Sequence, residues 1–158
     1  MKELLQLLKQ NARLSNAELA VMMGKTEAEV AAEITELERA GVIRGYSVIL
    51  DEELADHDAV SAYIELKITP KPDSGFDELA KTVMAYDEVE SVTLMSGGYD
   101  LGLTVTGYSL RDIAAFVAQR LSALDGVLST TTHFVLKRYK DKGISILDEQ
   151  SDERGVYL

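Results

Sequence analysis

The stretch Ser15–Ile43, SNAELAVMMGKTEAEVAAEITELERAGVI, constrains the fold more than any other part of the chain. Ser15 with Glu18 and Thr26 with Glu29 each match a capping box, in which a hydroxyl caps the amide three residues on and the carboxylate returns to the cap. Gly24 stands between the two helix starts, where a chain leaving one helix needs positive φ. Leu19 and Met23 form one apolar stripe, and Val30, Ile34 and Leu37 form a second at helical spacing. Gly41 stops the second helix, and Val42, Ile43, Tyr46, Val48 and Leu50 predict a short strand. Ahead of these, Leu4, Leu5, Leu7 and Leu8 give an apolar face to a first helix over Lys2–Asn11. Helices over Ala17–Met23 and Glu27–Ala40 then complete a three-helix core, and with the strand behind them the pattern predicts a winged helix-turn-helix.

A helix that enters the major groove normally brings Lys or Arg to phosphates and base edges. Here the face of Thr26–Ala40 away from the apolar stripe carries Glu29, Ala32, Glu33 and Glu36. Residues 1–50 hold six basic and seven acidic residues, whereas residues 51–158 hold ten basic and twenty acidic ones. The first part is thus near neutral and the second strongly acidic. Lys25, Arg39 and Arg44 can meet phosphates while Glu33 or Glu36 accepts from cytosine amino groups. The competing reading is a structural three-helix domain that no longer binds DNA. A net charge of −11 argues against non-specific attraction to polyanions.

Composition excludes several classes. Cysteine is absent, which removes disulfides, thiolate metal sites and a thiol nucleophile. His57 and His133 are too few and too far apart for a metal cluster, so neither metal nor cofactor is expected. No run approaches the ~20 apolar residues that span a bilayer, and MKELLQLLKQN reads as an amphipathic helix instead of a signal peptide. A cytoplasmic protein without membrane association is expected.

The acidic stretch Asp51–Asp58 reads as a linker. From Val60 to Thr69 apolar residues alternate, with Val60, Ala62, Ile64, Leu66 and Ile68 on one face of a strand. Pro70 and Pro72 end it. Phe76, Leu79, Ala80, Val83 and Met84 recur at helical spacing. Val89, Val92 and Leu94 mark a second strand, Ser96-Gly97-Gly98 a turn, and Tyr99–Thr106 a third strand. Leu110, Ile113, Ala114, Phe116, Val117 and Leu121 give a further helix, and Val127–Tyr139 a long fourth strand. The order β-α-β-β-α-β is the ferredoxin-like split unit, with both helices on one face of an antiparallel sheet. Leu101, Leu103 and Val105 read as too apolar to leave the other face in water, which predicts sheet-to-sheet dimerisation. The tail Lys140–Leu158 is charged until Gly155-Val156-Tyr157-Leu158.

This order resembles the Lrp/AsnC (feast/famine) family of transcription regulators. The blocks that carry the likeness are NARLSNAELA (Asn11–Ala20), LERAGVIRGY (Leu37–Tyr46), SGGYD (Ser96–Asp100) and THFVLKRYK (Thr132–Lys140), and the likeness covers roughly residues 1–140. It implies an α+β chain: a winged helix-turn-helix over residues 1–50, a linker over 51–58, a ferredoxin-like, RAM-type ligand-binding and oligomerisation domain over 59–140, and a charged tail over 141–158. It further implies that Asn16–Thr35 is the helix-turn-helix, with Thr26–Ala40 entering double-stranded DNA. Asn16, Lys25, Thr26, Ala28, Glu29, Ala32, Glu33, Thr35, Glu36 and Arg44 are the expected DNA-facing positions. An amino acid or similar small effector is expected at Ser96, Gly97, Gly98, Tyr99 and Asp100 and near Thr131 and Thr132. The Gly-Gly amides would hold its carboxylate and Asp100 its ammonium. Dimers assembling to octamers are the implied state. The chain departs from many relatives in lacking arginines at Ala32, Glu33, Thr35 and Glu36, and in having Gly98 where an Asp often follows the first loop glycine.

The expected function is therefore a sequence-specific, effector-responsive transcription regulator that reads half-sites about one helical turn apart. One alternative is a modulator that does not bind DNA itself and co-assembles with a paralogue. The other is a sirohaem-decarboxylase-like enzyme, which shares this layout and uses histidines around a tetrapyrrole. His133, next to Phe134 on a strand, reads instead as a packing or hydrogen-bonding residue, and no nucleophile–base pair, phosphate loop or metal spacing is present.

Overall fold

In the computed structural model, which describes residues 1–56 and 58–147, the chain divides into two compact units, Met1–Val48 and the remainder from Ile49. His57 and the tail from residue 148, including Gly155–Leu158, lie outside the described residues.

The first unit is three helices: α1 (Lys2–Gln10), α2 (Asn16–Met23) and α3 (Glu27–Arg39). Both expected capping boxes close. Ser15 Oγ accepts the Glu18 N–H at 3.2 Å while the Glu18 carboxylate takes the Ser15 N–H at 2.7 Å. Thr26 and Glu29 repeat the pattern at 3.3 and 2.8 Å. Gly24 ends α2 at φ +64°, a left-handed conformation that a side chain would strain. Leu4, Leu19, Ala20, Val30 and Leu37 are buried together, with Leu8, Leu14, Ile34 and Ile43 packed around them. The strand expected over Tyr46–Leu50 is not formed: residues 43–50 join no ladder, and Tyr46, Val48 and Leu50 are exposed. A strand needs a neighbour's backbone to satisfy its amides, and among the described residues none pairs with this segment. Instead the Tyr46 hydroxyl donates to Glu38 Oε1 at 2.9 Å.

The second unit opens with a one-turn helix, α4 (Glu52–Ala55), inside the expected linker; the Asp51 side chain caps it. Four strands follow, β1 (Val60–Ile68), β2 (Val89–Leu94), β3 (Leu101–Gly107) and β4 (Val127–Phe134), in the antiparallel order β2-β3-β1-β4. Helix α5 (Asp77–Met84) joins β1 to β2. Helix α6 (Leu110–Phe116) continues into a wider π turn over Val117–Leu121 and leads to β4. This is the β-α-β-β-α-β unit. The wider turn leaves Phe116, Val117 and Leu121 all buried.

Register decides the faces, and it corrects one expectation. Ala62, Ile64, Leu66, Leu101, Leu103 and Val105 lie in one buried cluster with Val83, Ile113 and Leu121 from the helical layer. Leu101, Leu103 and Val105 therefore do not make the open face apolar. That face carries Tyr63, Glu65 and Lys67 of β1, Thr104 and Thr106 of β3, Thr93 of β2, and Thr131 and His133 of β4. The fourth strand also stops at Phe134 instead of Tyr139. β1 begins at Val60, so after Val135 donates to Ser61 O at 2.9 Å no paired backbone remains. Leu136 is then 92% exposed. A small hairpin that the sequence did not suggest, β5 (Lys140–Asp141) with β6 (Ile144–Ser145), turns through Lys142 and Gly143, both at positive φ. No helix among the described residues is long and apolar enough to cross a membrane.

Candidate nucleic-acid interface and effector loop

Helix α3 begins after Thr26, one residue beyond Lys25 in the turn, and its buried side is Val30 and Leu37. Ala28, Ala32, Thr35 and Arg39 are spaced i, i+4, i+7 and i+11, so they share the opposite face, and all are exposed. Glu29, Glu33 and Glu36 flank it. Each carboxylate has a partner in its own unit. Glu29 closes the Thr26 cap, and the Thr26 amide and hydroxyl, in that order, hold its carboxyl below the usual range. Glu33 Oε1 accepts from Lys25 Nζ, which lowers its carboxyl likewise, while its Oε2 is buried without a partner. Glu36 binds Arg39 through both oxygens, at 2.8 and 3.0 Å. Either Glu33 or Glu36 would therefore have to leave its partner, Lys25 or Arg39, before accepting from a cytosine amino group.

The other proposed DNA-facing residues divide in the same way. Asn16 is the first residue of α2 and half-buried. Thr26 is committed to the cap. Thr35 Oγ1 donates back to Ala31 O at 2.9 Å. Arg44 is exposed and no carboxylate pairs with it among the described residues. Its guanidinium folds over Gly41, where an added Cβ would lie 3.0 Å from Arg44 Cζ. A side chain at Gly41 would press that guanidinium aside and strain the backbone, which turns there at φ +69°.

The loop Ser96–Asp100 connects β2 to β3. Ser96, Gly97 and Gly98 are exposed, Gly97 at φ +140°, with open space where either glycine would carry a Cβ. Asp100 anchors the loop: Oδ2 accepts the Ile68 N–H at 2.7 Å, and the Asp100 N–H donates to Leu66 O at 2.9 Å. One carboxylate oxygen is thereby spent on β1. Thr131 and Thr132 separate, because Thr131 pairs with Glu65 on the open face and Thr132 with Ile64 on the helical face.

The open face brings Tyr63, Glu65 and Gly102, which sequence reading did not single out, to Tyr99 and His133, which it did. The Tyr63 and Tyr99 hydroxyls are 2.8 Å apart, and Tyr63 lies across Gly102, where a Cβ would meet its Oη at 2.0 Å. The bond to Tyr99 first, then burial, pushes the Tyr63 phenol up to about 12. His133 Nε2 sits 3.5 Å from Glu65 Oε2. The polar alternation Tyr63-Glu65-Lys67 within an apolar strand was the available signal. Among the described residues no group of His, Asp and Glu has the arrangement of a metal site.

Two families match this chain. Residues 1–44 match the winged helix-turn-helix DNA-binding family, and residues 61–144 match the Lrp/AsnC ligand binding domain. The sequence is 44% identical over 157 residues to the uncharacterized HTH-type transcriptional regulator YugG of Bacillus subtilis, covering 99% of this chain and 94% of that one. It is 27% identical over 145 residues to the leucine-responsive regulatory protein of Haemophilus influenzae, covering 92% and 87%. Among solved structures, a transcriptional regulator from Neisseria meningitidis in complex with L-Met aligns with a TM-score of 0.72 at 28% identity, covering 88% of this chain and 89% of that one. The feast or famine regulatory protein from M. tuberculosis complexed with L-methionine aligns with a TM-score of 0.74 at 25% identity, covering 92% and 96%.

Proposed function

The chain belongs to the Lrp/AsnC family of transcription regulators, and from that membership we propose how this DNA-binding regulator engages DNA and an effector. Helix α3 enters the major groove of double-stranded DNA, with Asn16, Ala28, Ala32 and Thr35 toward the duplex and Arg44 on a phosphate. Thr26 and Glu29 act as the helix cap that sets its angle of entry. The Lys25–Glu33 and Glu36–Arg39 pairs neutralise the acidic flank, so that the helix approaches phosphates without three free carboxylates. The doubly capped α2–α3 pair, with an unpaired Arg44 beyond it, is the observation that carries this reading.

The effector is an amino acid held at Ser96–Asp100, its carboxylate on the exposed Gly97 and Gly98 amides and its ammonium on Asp100 Oδ1. Two structurally similar regulators were solved with methionine, which supports that class. Thr131, on the open face, is retained as a neighbour of the site and Thr132 is set aside. The working form is a cytoplasmic homodimer that assembles further, with effector binding shifting assembly because it favours one state over another.

Gel shifts of upstream duplexes at several salt concentrations test the docking. Arg44→Ala is expected to weaken binding to every sequence and to reduce the salt slope by about 1. Unchanged binding by that variant at every salt concentration would overturn the docking. Sedimentation velocity across the amino acids tests the effector: at least one must change the profile.

A further inference from the structure

The face that α3 offers to a groove is apolar, although its surroundings are charged. Ala28 and Ala32 end in methyl groups. Thr35 is exposed, and its hydroxyl is turned back onto Ala31 O at 2.9 Å, so its hydrogen is spent and the side chain offers a methyl group besides. The polar groups beside them are already engaged: Glu29 with Thr26, Glu33 with Lys25, Glu36 with Arg39. A side chain reads a base by hydrogen bond only if its donors and acceptors are free, and on this face, among the described residues, that leaves chiefly Arg39 Nη1 at the end of the stripe. In the major groove the only apolar feature of any base pair is the 5-methyl group of thymine, and Ala and Thr methyls are its ordinary contacts.

The flank adds a rejection. Guanine shows the major groove two acceptors, N7 and O6, and is normally read by Arg or Lys. On this helix a base beside the methyl stripe meets the exposed carboxylate of Glu36, so acceptor faces acceptor, whereas Glu33 has one oxygen on Lys25 and the other buried. Arg39, the cation on the stripe, is held by both oxygens of Glu36.

We propose that α3 reads thymine methyl groups through Ala28, Ala32 and the Thr35 methyl, and turns guanine away with the Glu36 carboxylate. The assignment rests on the docking of α3 proposed above. It makes this regulator a reader of shape and methyl position within each half-site, with little hydrogen-bonded base readout.

The test uses the full chain. Duplexes are selected from a random library, and each thymine of the selected half-site is then replaced, one at a time, by deoxyuridine, which lacks only the 5-methyl group. The contacted thymines are expected to lose about fourfold in affinity each, the worth of one buried methyl. Thr35→Ser keeps the hydroxyl bond and removes the methyl. It should lose about the same factor on the parent duplex and nothing further on one of the uracil duplexes. Thr35→Val should keep the sensitivity. Uracil duplexes that bind as tightly as their thymine parents, or an invariant guanine under α3, would overturn the assignment while leaving the docking intact. If the full chain selects and binds no duplex even at low salt, the docking fails and the assignment with it.

Discussion

The two units solve the same packing problem with unequal material. The helical unit closes around five buried apolar side chains, Leu4, Leu19, Ala20, Val30 and Leu37, whereas the sheet unit buries twelve apolar ones among its described residues. A core of roughly fifty residues buries a small share of its surface and is marginal alone. What the helical unit lacks in core it recovers locally, through two capping boxes and a left-handed glycine within the fifteen residues from Ser15 to Glu29. The sheet unit depends instead on pairings between distant segments, such as Tyr63 with Thr104 and His133. One unit is stabilised by its sequence neighbours, the other by its topology.

Core truncation probes this contrast most strongly. Leu37→Ala and Leu103→Ala remove the same atoms from sites that are 3% and 0% exposed, and each should cost about 2–5 kcal/mol. In the helical unit that loss should exceed what its small core can absorb. Thermal melts with hydrogen exchange should then show residues 1–48 unprotected while the sheet stays protected. For Leu103→Ala the sheet melts lower but remains folded. Simultaneous loss of both units in both variants would show that they are one cooperative body.

Gly102→Ala is the next largest. Its new Cβ would overlap the Tyr63 hydroxyl, so the ring must leave the strand surface at about 1–3 kcal/mol. The Tyr63–Tyr99 bond would break with it, and the Tyr63 phenol should titrate below about 12. A variant with the parent's melting point and tyrosine titration would remove Tyr63 from the architecture of the open face.

Thr26→Ala removes one cap from α3 and should cost about 1 kcal/mol, confined to the helical unit. Ser15→Ala should match it. Smallest is the acid limb. Glu18 and Glu29 carboxyls lie below their ordinary 4.5 in the folded chain, first because of the Ser15 and Thr26 backbone amides. Their contribution is therefore whole above that value and is lost as the pH falls through the lower folded values. Glu18→Gln with Glu29→Gln should flatten the acid dependence of the helical unit's melting below pH 4.5 and leave the sheet's unchanged.

This division also explains what could be read from the chain. Helix starts were legible because Ser15 with Glu18, and Thr26 with Glu29, are three residues apart and decide the geometry between themselves. The first strand of the sheet was legible because Ala62, Ile64 and Leu66 alternate cleanly with polar residues. The open face was not, since its character depends on which distant strand each residue meets: Leu103 is apolar on either reading, and only its pairing with Ile64 buries it. The end of β4 was set by where β1 begins, seventy residues away. The site residues followed the same rule. Asp100 was expected to serve a ligand; that one of its oxygens also holds the Ile68 amide was not legible, nor that Tyr63 reaches Tyr99 across a separation of thirty-six residues. The bond from Lys25 to Glu33 was not legible, because it depends on the path of the turn between α2 and α3.

The Tyr63–Tyr99 bond joins the sheet floor to the loop proposed to hold the effector. The chain contains no tryptophan, so phenol fluorescence is not masked by a stronger emitter. Any displacement of the loop that parts the two rings changes the emission of an unlabelled protein, and the molecule thus carries its own optical gauge of that movement.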